Sequence, residues 1–133
     1  QMRYRRRWRD GQPQEACPRR IHRFVEPCLL MLLRDHEAHG YELLEGLEQF
    51  GLEQNPVDSS TVYRFLRDLE ERNLVTSRWD TGGAGPARRL YQIAEEGTGC
   101  LACWVDDLRE TGRMLQGFLE LYDAHMAEHQ QIR

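Results

Sequence analysis

The chain has 133 residues and a formal net charge of −4, enough for one domain with a buried core and an appended element. It holds no run of about 18 apolar residues, which excludes a spanning helix, and no apolar leader near its start, so the cytoplasm is the expected compartment. Its basic residues are all arginine and unevenly placed: eight in residues 1–23, against Asp10 and Glu15, give a local +6 and leave −10 for residues 24–133.

Residues 1–23 interleave arginine with Tyr4 and Trp8 and carry Pro13 and Pro18. The composition reads as a flexible tail in isolation. With nucleic acid present it reads as a basic arm that follows phosphates or enters a minor groove. The two are compatible, because such arms order on binding.

The first predicted helix runs from Phe24 to Arg34, with Pro27 in the first turn, where a missing N–H costs nothing. Cys28 to Leu33 are apolar on every side, so this helix should be buried on most faces. In so small a domain that implies a second subunit covering one side. The second helix begins at His39-Gly40-Tyr41, with Tyr41, Leu44, Leu47 and Phe50 inward and Gly51 as its stop. Asn55-Pro56 breaks the chain, and Asp58 or Ser59 caps the third helix.

In that third helix Val62, Phe65, Leu66 and Leu69 follow the i, i+3, i+4, i+7 spacing of one buried face. Ser60, Arg64, Arg67 and Glu71 fall opposite. A strand-like segment, Leu74 to Trp79, follows directly. Gly82, Gly83 and Gly85 then make a turn, and Arg89 to Ile93 return as a second alternating strand. The predicted fold is therefore mainly α with a small β-hairpin wing: a winged helix-turn-helix over residues 24–94, the plan of a DNA reader.

Residues 95–133 form the last predicted element, a helix starting between Glu95 and Gly97 and reaching about Glu128. Leu101, Trp104, Leu108, Leu115, Phe118 and Tyr122 fall on heptad a/d spacing, with Thr111 filling one slot. Val105, Leu119 and Met126 widen the stripe. Some 30 helical residues span ~45 Å, too long to bury against so small a head. Dimerisation is the economical expectation; the alternative is a helix folded back on its own domain.

Several of these segments together resemble the PadR family of bacterial winged-helix transcriptional regulators. They are His39-Gly40-Tyr41-Glu42-Leu43, Thr61-Val62-Tyr63 with Leu66 and Leu69-Glu70, then Leu74-Val75 and Trp79. Gly85 to Tyr91 and Glu95-Glu96-Gly97 continue the likeness, which covers roughly residues 24–126. Trp79-Asp80-Thr81 and Phe118 to Tyr122 are similar to the short members called poly-β-hydroxybutyrate-responsive repressors. The chain departs from the family pattern at Ser60, where glycine is usual, and at Ala94, where a capping threonine is usual. Neither the arginine-rich arm nor the cysteine set is a general family feature.

The resemblance implies a repressor that binds double-stranded DNA as a homodimer, its third helices entering successive major grooves about 34 Å apart. Ser59, Ser60, Thr61, Tyr63, Arg64 and Arg67 are then the candidates for base edges and nearby phosphates. Arg64 is placed to read a guanine in bidentate fashion. Arg67 has a competing role as a surface partner of Glu71, and Tyr63 as a residue packed under the wing. Arg88 and Arg89, flanking the glycine turn, suit phosphate rather than sequence.

Four cysteines remain: Cys17, Cys28, Cys100 and Cys103. A helical Cys100-x-x-Cys103 with two further thiols points to a shared zinc or iron–sulfur site, and so to a redox- or metal-responsive regulator. The competing reading makes Cys28 a small hydrophobe and the pair two unrelated core positions. The effector is unknown from the residues. An apolar pocket between the long helices, near Trp104, Phe118 and Tyr122, is the alternative sensing site. His125 and His129 read as a solvated helix end, and His39 as structural. No phosphate loop opening a helix and no nucleophile–base set is present, so no enzyme is expected.

Overall fold

The computed structural model describes residues 22–51 and 57–132. The arm up to residue 21, Cys17 within it, and the Asn55-Pro56 break lie outside the described residues. A 3-10 turn at His22–Phe24 leads into α1 (Val25–Asp35). Pro27 sits in the first turn, where its missing N–H has no partner to lose. Leu29, Leu30 and Leu33 are buried, whereas Met31 is 57% exposed. One face of the most apolar helix is thus left open.

A two-residue strand follows, β1 (Ala38–His39), then α2 (Gly40–Gly46), which tightens into a 3-10 turn at Leu47–Phe50 before Gly51. The strand has no sequence signal, since two residues carry no alternation. The expected inward position of Tyr41 is not adopted: its side chain is exposed, and Leu43 takes the core place. Because β1 fixes the chain up to His39, the helix begins with a phase that turns Tyr41 toward the hairpin.

Next comes α3 (Ser59–Glu71), capped by Asp58, whose Oδ1 accepts from the Thr61 backbone N–H at 2.8 Å. Val62, Leu66 and Leu69 are wholly buried. Each such side chain stabilises the fold by about 1.5–3 kcal/mol. Asn73, at φ 65°, turns the chain out of the helix. The hairpin is β2 (Val75–Asp80) and β3 (Arg88–Ile93), in antiparallel register from Val75–Ile93 to Asp80–Arg88. With β1 added beside β3 the sheet has three strands, in the order β1-β3-β2.

The last element, α4 (Glu95–Ile132), has 38 residues, about 57 Å at 1.5 Å per residue. Its first turn lies close to the chain between α3 and β2. The Ala94 N–H donates to the Leu74 carbonyl at 3.0 Å, and a Cβ at Gly97 would collide with that same oxygen. Leu101 is buried, and Cys100, Trp104 and Val105 pack against the core. The stripe then leaves the body: Leu115, Phe118 and Tyr122 are 55%, 67% and 53% exposed. The helix does not fold back. No described helix is long and apolar enough to cross a membrane.

Candidate nucleic-acid interface

The solvent face of α3 carries Ser59, Ser60, Tyr63, Arg64 and Arg67, all exposed, with Thr61 half-buried beneath the Asp58 cap. Neither Arg64 nor Arg67 forms an ion pair among the described residues, so the expected alternative pairing of Arg67 with Glu71 is not adopted. Tyr63 lies against Gly40 at the start of α2, near Tyr91 of β3. Its ring end would sit about 2.5 Å from any Cβ at position 40. Glycine there lets the tyrosine of one helix close over the first turn of the other.

Cross-strand neighbours share a face of the hairpin, and the two faces are tied to different helices. On one, Arg88 Nη1 donates to the Tyr41 hydroxyl at 3.1 Å, with the guanidinium 5.2 Å from that ring. Beside it His39 Nε2 lies 3.0 Å from Asp80 Oδ2 and Nδ1 lies 3.1 Å from Glu42 Oε1. On the other face, Arg89 sits 4.9 Å over the Trp79 ring and donates from Nε to Ser77 Oγ at 3.0 Å. The Ser77 hydroxyl in turn donates to Glu70 Oε2 of α3 at 2.7 Å. Arg88 is therefore the more exposed of the two wing arginines, while Arg89 braces the wing on α3.

Two carboxylates of this arrangement are held below their ordinary range. For Glu42 the main cause is the His39 backbone N–H at 2.7 Å. For Asp80 it is the Gly82 N–H at 3.2 Å, followed by the His39 side chain. Depressed folded-state values stabilise the fold above the unfolded carboxylate range, near pH 4, and that stability drains as pH falls through the folded values. The urea midpoint should therefore decline below about pH 4, and less steeply in Asp80→Asn than in the parent. An equal decline in both would exclude Asp80 as a contributor.

Behind the interface lies a residue that the sequence reading passed over. Glu26 is 2% exposed. Its Oε1 accepts from Arg72 Nη2, just past α3, at 2.7 Å, and its Oε2 accepts from the Trp104 indole N–H of α4 at 3.0 Å. Cys100 Sγ approaches the same oxygen at 3.9 Å. One buried carboxylate thus joins α1, the end of α3 and the root of α4. An acid directly ahead of the apolar run Pro27 to Leu33 was the available signal.

The cysteines are placed unequally. Cys28 is buried, and burial pushes its thiol up to about 12. Cys100 is half-buried and also raised, first by burial and then by the charge of Glu26. Cys103 is exposed. For Cys28 and Cys100 burial favours the protonated thiol, the reverse of what a reactive cysteine needs. Among the described residues no three histidine, cysteine, aspartate or glutamate side chains converge as metal ligands. Cys28, Cys100 and Cys103 are the described members of the four-cysteine set, and Cys17 lies outside the described residues.

A three-helix head, an exposed third helix and a wing strapped to it define the winged-helix class. Solved structures share this fold. A PadR family transcription regulator from Clostridium difficile is 21% identical over 72% of this chain and 98% of its own, with a TM-score of 0.64. A conserved protein described as a potential transcriptional factor is 30% identical over 80% of this chain and 96% of its own, at 0.69. Bacillus subtilis PadR, solved in complex with operator DNA, is 23% identical over 62% of this chain and 47% of its own, at 0.56. The transcriptional regulator YqjI of Escherichia coli is 27% identical over 88 residues, 66% of this chain. The chain spans about two fifths of the length of the curated relatives it matches, 39%.

Residues 29–102 match the transcriptional regulator PadR-like family. The chain belongs to that family, one of transcriptional regulators and not of enzymes.

Proposed function

We propose that this protein is a sequence-specific DNA-binding repressor that acts as a homodimer. The observation that carries the DNA reading is the exposed face of α3, where Arg64 and Arg67 stand without ion-pair partners among the described residues, beside Ser59, Ser60 and Tyr63. A helix face that keeps guanidinium donors unneutralised, next to a wing presenting Arg88, suits polyanionic duplex better than a protein partner. The arm of residues 1–23, the head of 24–94 and the helix of 95–133 would divide the work into phosphate tracking, reading and pairing. Operator binding by the similar Bacillus subtilis PadR is consistent with this assignment.

Support for the dimer comes from two apolar surfaces on the same chain. The distal stripe of α4 is bare, and a concavity of about 450 Å³ lies between α1, the end of α2 and α4, lined by Met31, Leu32, Phe50, Leu101 and Val105 among others. A second copy supplies the helix that fills it. In the rival sensing pocket Trp104 would be a fixed wall, its indole N–H held by Glu26. A metal held by four thiolates would have to draw on Cys17 or on a second copy.

Fluorescence anisotropy tests the reading, with duplex from the chain's own upstream region compared against random-sequence duplex. Arg67→Ala should relax the preference between the two. Arg88→Ala should weaken both alike and lower the salt slope by about one. Identical losses in the two variants would contradict the division of roles, and no salt-dependent binding at all would end the DNA reading.

A further inference from the structure

Three guanidinium groups meet on the flank of α3 turned away from the hairpin. Arg23, Arg64 and Arg72 line, with Phe65 and Asp68, a concavity of about 400 Å³. Two of them are held in place from behind: Glu26 Oε1 accepts from Arg72 Nη2 at 2.7 Å and from Arg23 Nη2 at 3.4 Å. Asp68 Oδ2 fixes Arg72 from the side, accepting from its Nε at 3.0 Å. Arg64 has no ion-pair partner among the described residues. The three cations outnumber the two carboxylates, Glu26 and Asp68, so the concavity keeps a net positive charge.

We propose that this concavity holds a phosphate oxyanion, with Arg23 and Arg64 as donors and Arg72 as a fixed cationic wall. Guanidinium forks match phosphate oxygens in geometry and stay charged at every accessible pH. The site is pre-organised, because a buried carboxylate has already ordered two of the side chains and less entropy is lost on binding.

The location favours a phosphodiester of DNA over a free phosphate ester. Glu70 leaves α3 on its hairpin side, as its contact with Ser77 shows, whereas Asp68 and Arg72 leave on the opposite flank, toward Glu26 of α1. A helix lying in a major groove has a phosphate backbone on each side. The wing accompanies one, and this concavity lies along the other. This assignment rests on the DNA-binding reading above. It moves Arg64 from a base edge to the backbone and leaves Ser60 and Arg67 over the groove floor.

Arg23→Ala is the informative variant, since that side chain is 67% exposed and Glu26 keeps Arg72 as its partner without it. Arg72 is kept, because removing it would strand Glu26. Two measurements on the full chain separate the sources of phosphate. With random-sequence duplex, Arg23→Ala and Arg64→Ala should each lower the salt slope by about one, equally for every sequence. With inorganic phosphate at constant ionic strength, the Arg72 Nε–H resonance should stay still if DNA is the only ligand. A saturable shift that Arg23→Ala abolishes, with duplex affinity unchanged, would assign the site to a free phosphate ester. Unchanged duplex binding together with an unmoved Arg72 signal would overturn the proposal. Should the parent protein bind no duplex, the DNA reading fails by itself and the phosphate titration alone decides the concavity.

Discussion

Replacing Glu26 by alanine should lower the free energy of unfolding by about 2–3 kcal/mol, read as a shift of the urea midpoint. Removing one partner of a buried ion pair typically costs ~3–5 kcal/mol. The lower expectation follows from Arg72, whose side chain is 40% exposed and keeps some hydration when its acceptor is gone. The Trp104 indole N–H has less recourse, because it is half-buried between α1 and α4 and an unmet donor there costs about 1–3 kcal/mol. Glu26→Gln should fall between parent and alanine: its carbonyl still accepts from Trp104, but its amide hydrogens face a guanidinium. If Glu26→Gln and Glu26→Ala prove equally unstable, the charge matters more than the acceptor. If both match the parent, the hub has no energetic role.

The second large effect concerns the distal helix. Phe118→Asp combined with Tyr122→Asp should leave the helical circular dichroism intact, because both side chains already face solvent in the single chain. Sedimentation should report a monomer. Affinity for a duplex carrying two half-sites should fall by roughly a hundredfold or more, the scale on which a second, tethered contact is lost. A parent protein that sediments as a monomer, or a variant that remains dimeric, would refute pairing through this face.

Much of the head was legible from pattern. The spacing of Val62, Leu66 and Leu69 marked α3, and Asp58 marked its start, because a buried face and a cap are local facts. Tyr41 was placed wrongly because the two-residue strand β1, which carries no alternation to read, sets the phase in which the next helix begins. Glu26 escaped notice because an acid in a first turn reads as a charge facing the helix dipole. Its partners stand 46 and 78 residues away, and nothing local announces them. The heptad stripe of α4 concealed a division. Its members up to Trp104 serve their own body, while those from Leu115 onward serve none within it.

On the candidate surface, the residue types were readable but their loyalties were not. Arg88 and Arg89 are adjacent in sequence and look equivalent, yet strand alternation sends one to Tyr41 and the other to Trp79 and Ser77. Arg64 and Arg67 differ likewise by less than one helical turn, which is enough to separate the flank of α3 from its crest.

The length of α4 has a metrical consequence. A helix that extends well past its own domain sets the distance between two heads by where along its axis the second copy seats. One residue of slip changes that distance by about 1.5 Å, and one heptad by ~10 Å, roughly a third of a turn of B-DNA. In the proposed dimer the bare segment from Leu115 to Met126 would act as a graduated ruler, its notches setting the operator spacing that the pair of heads accepts.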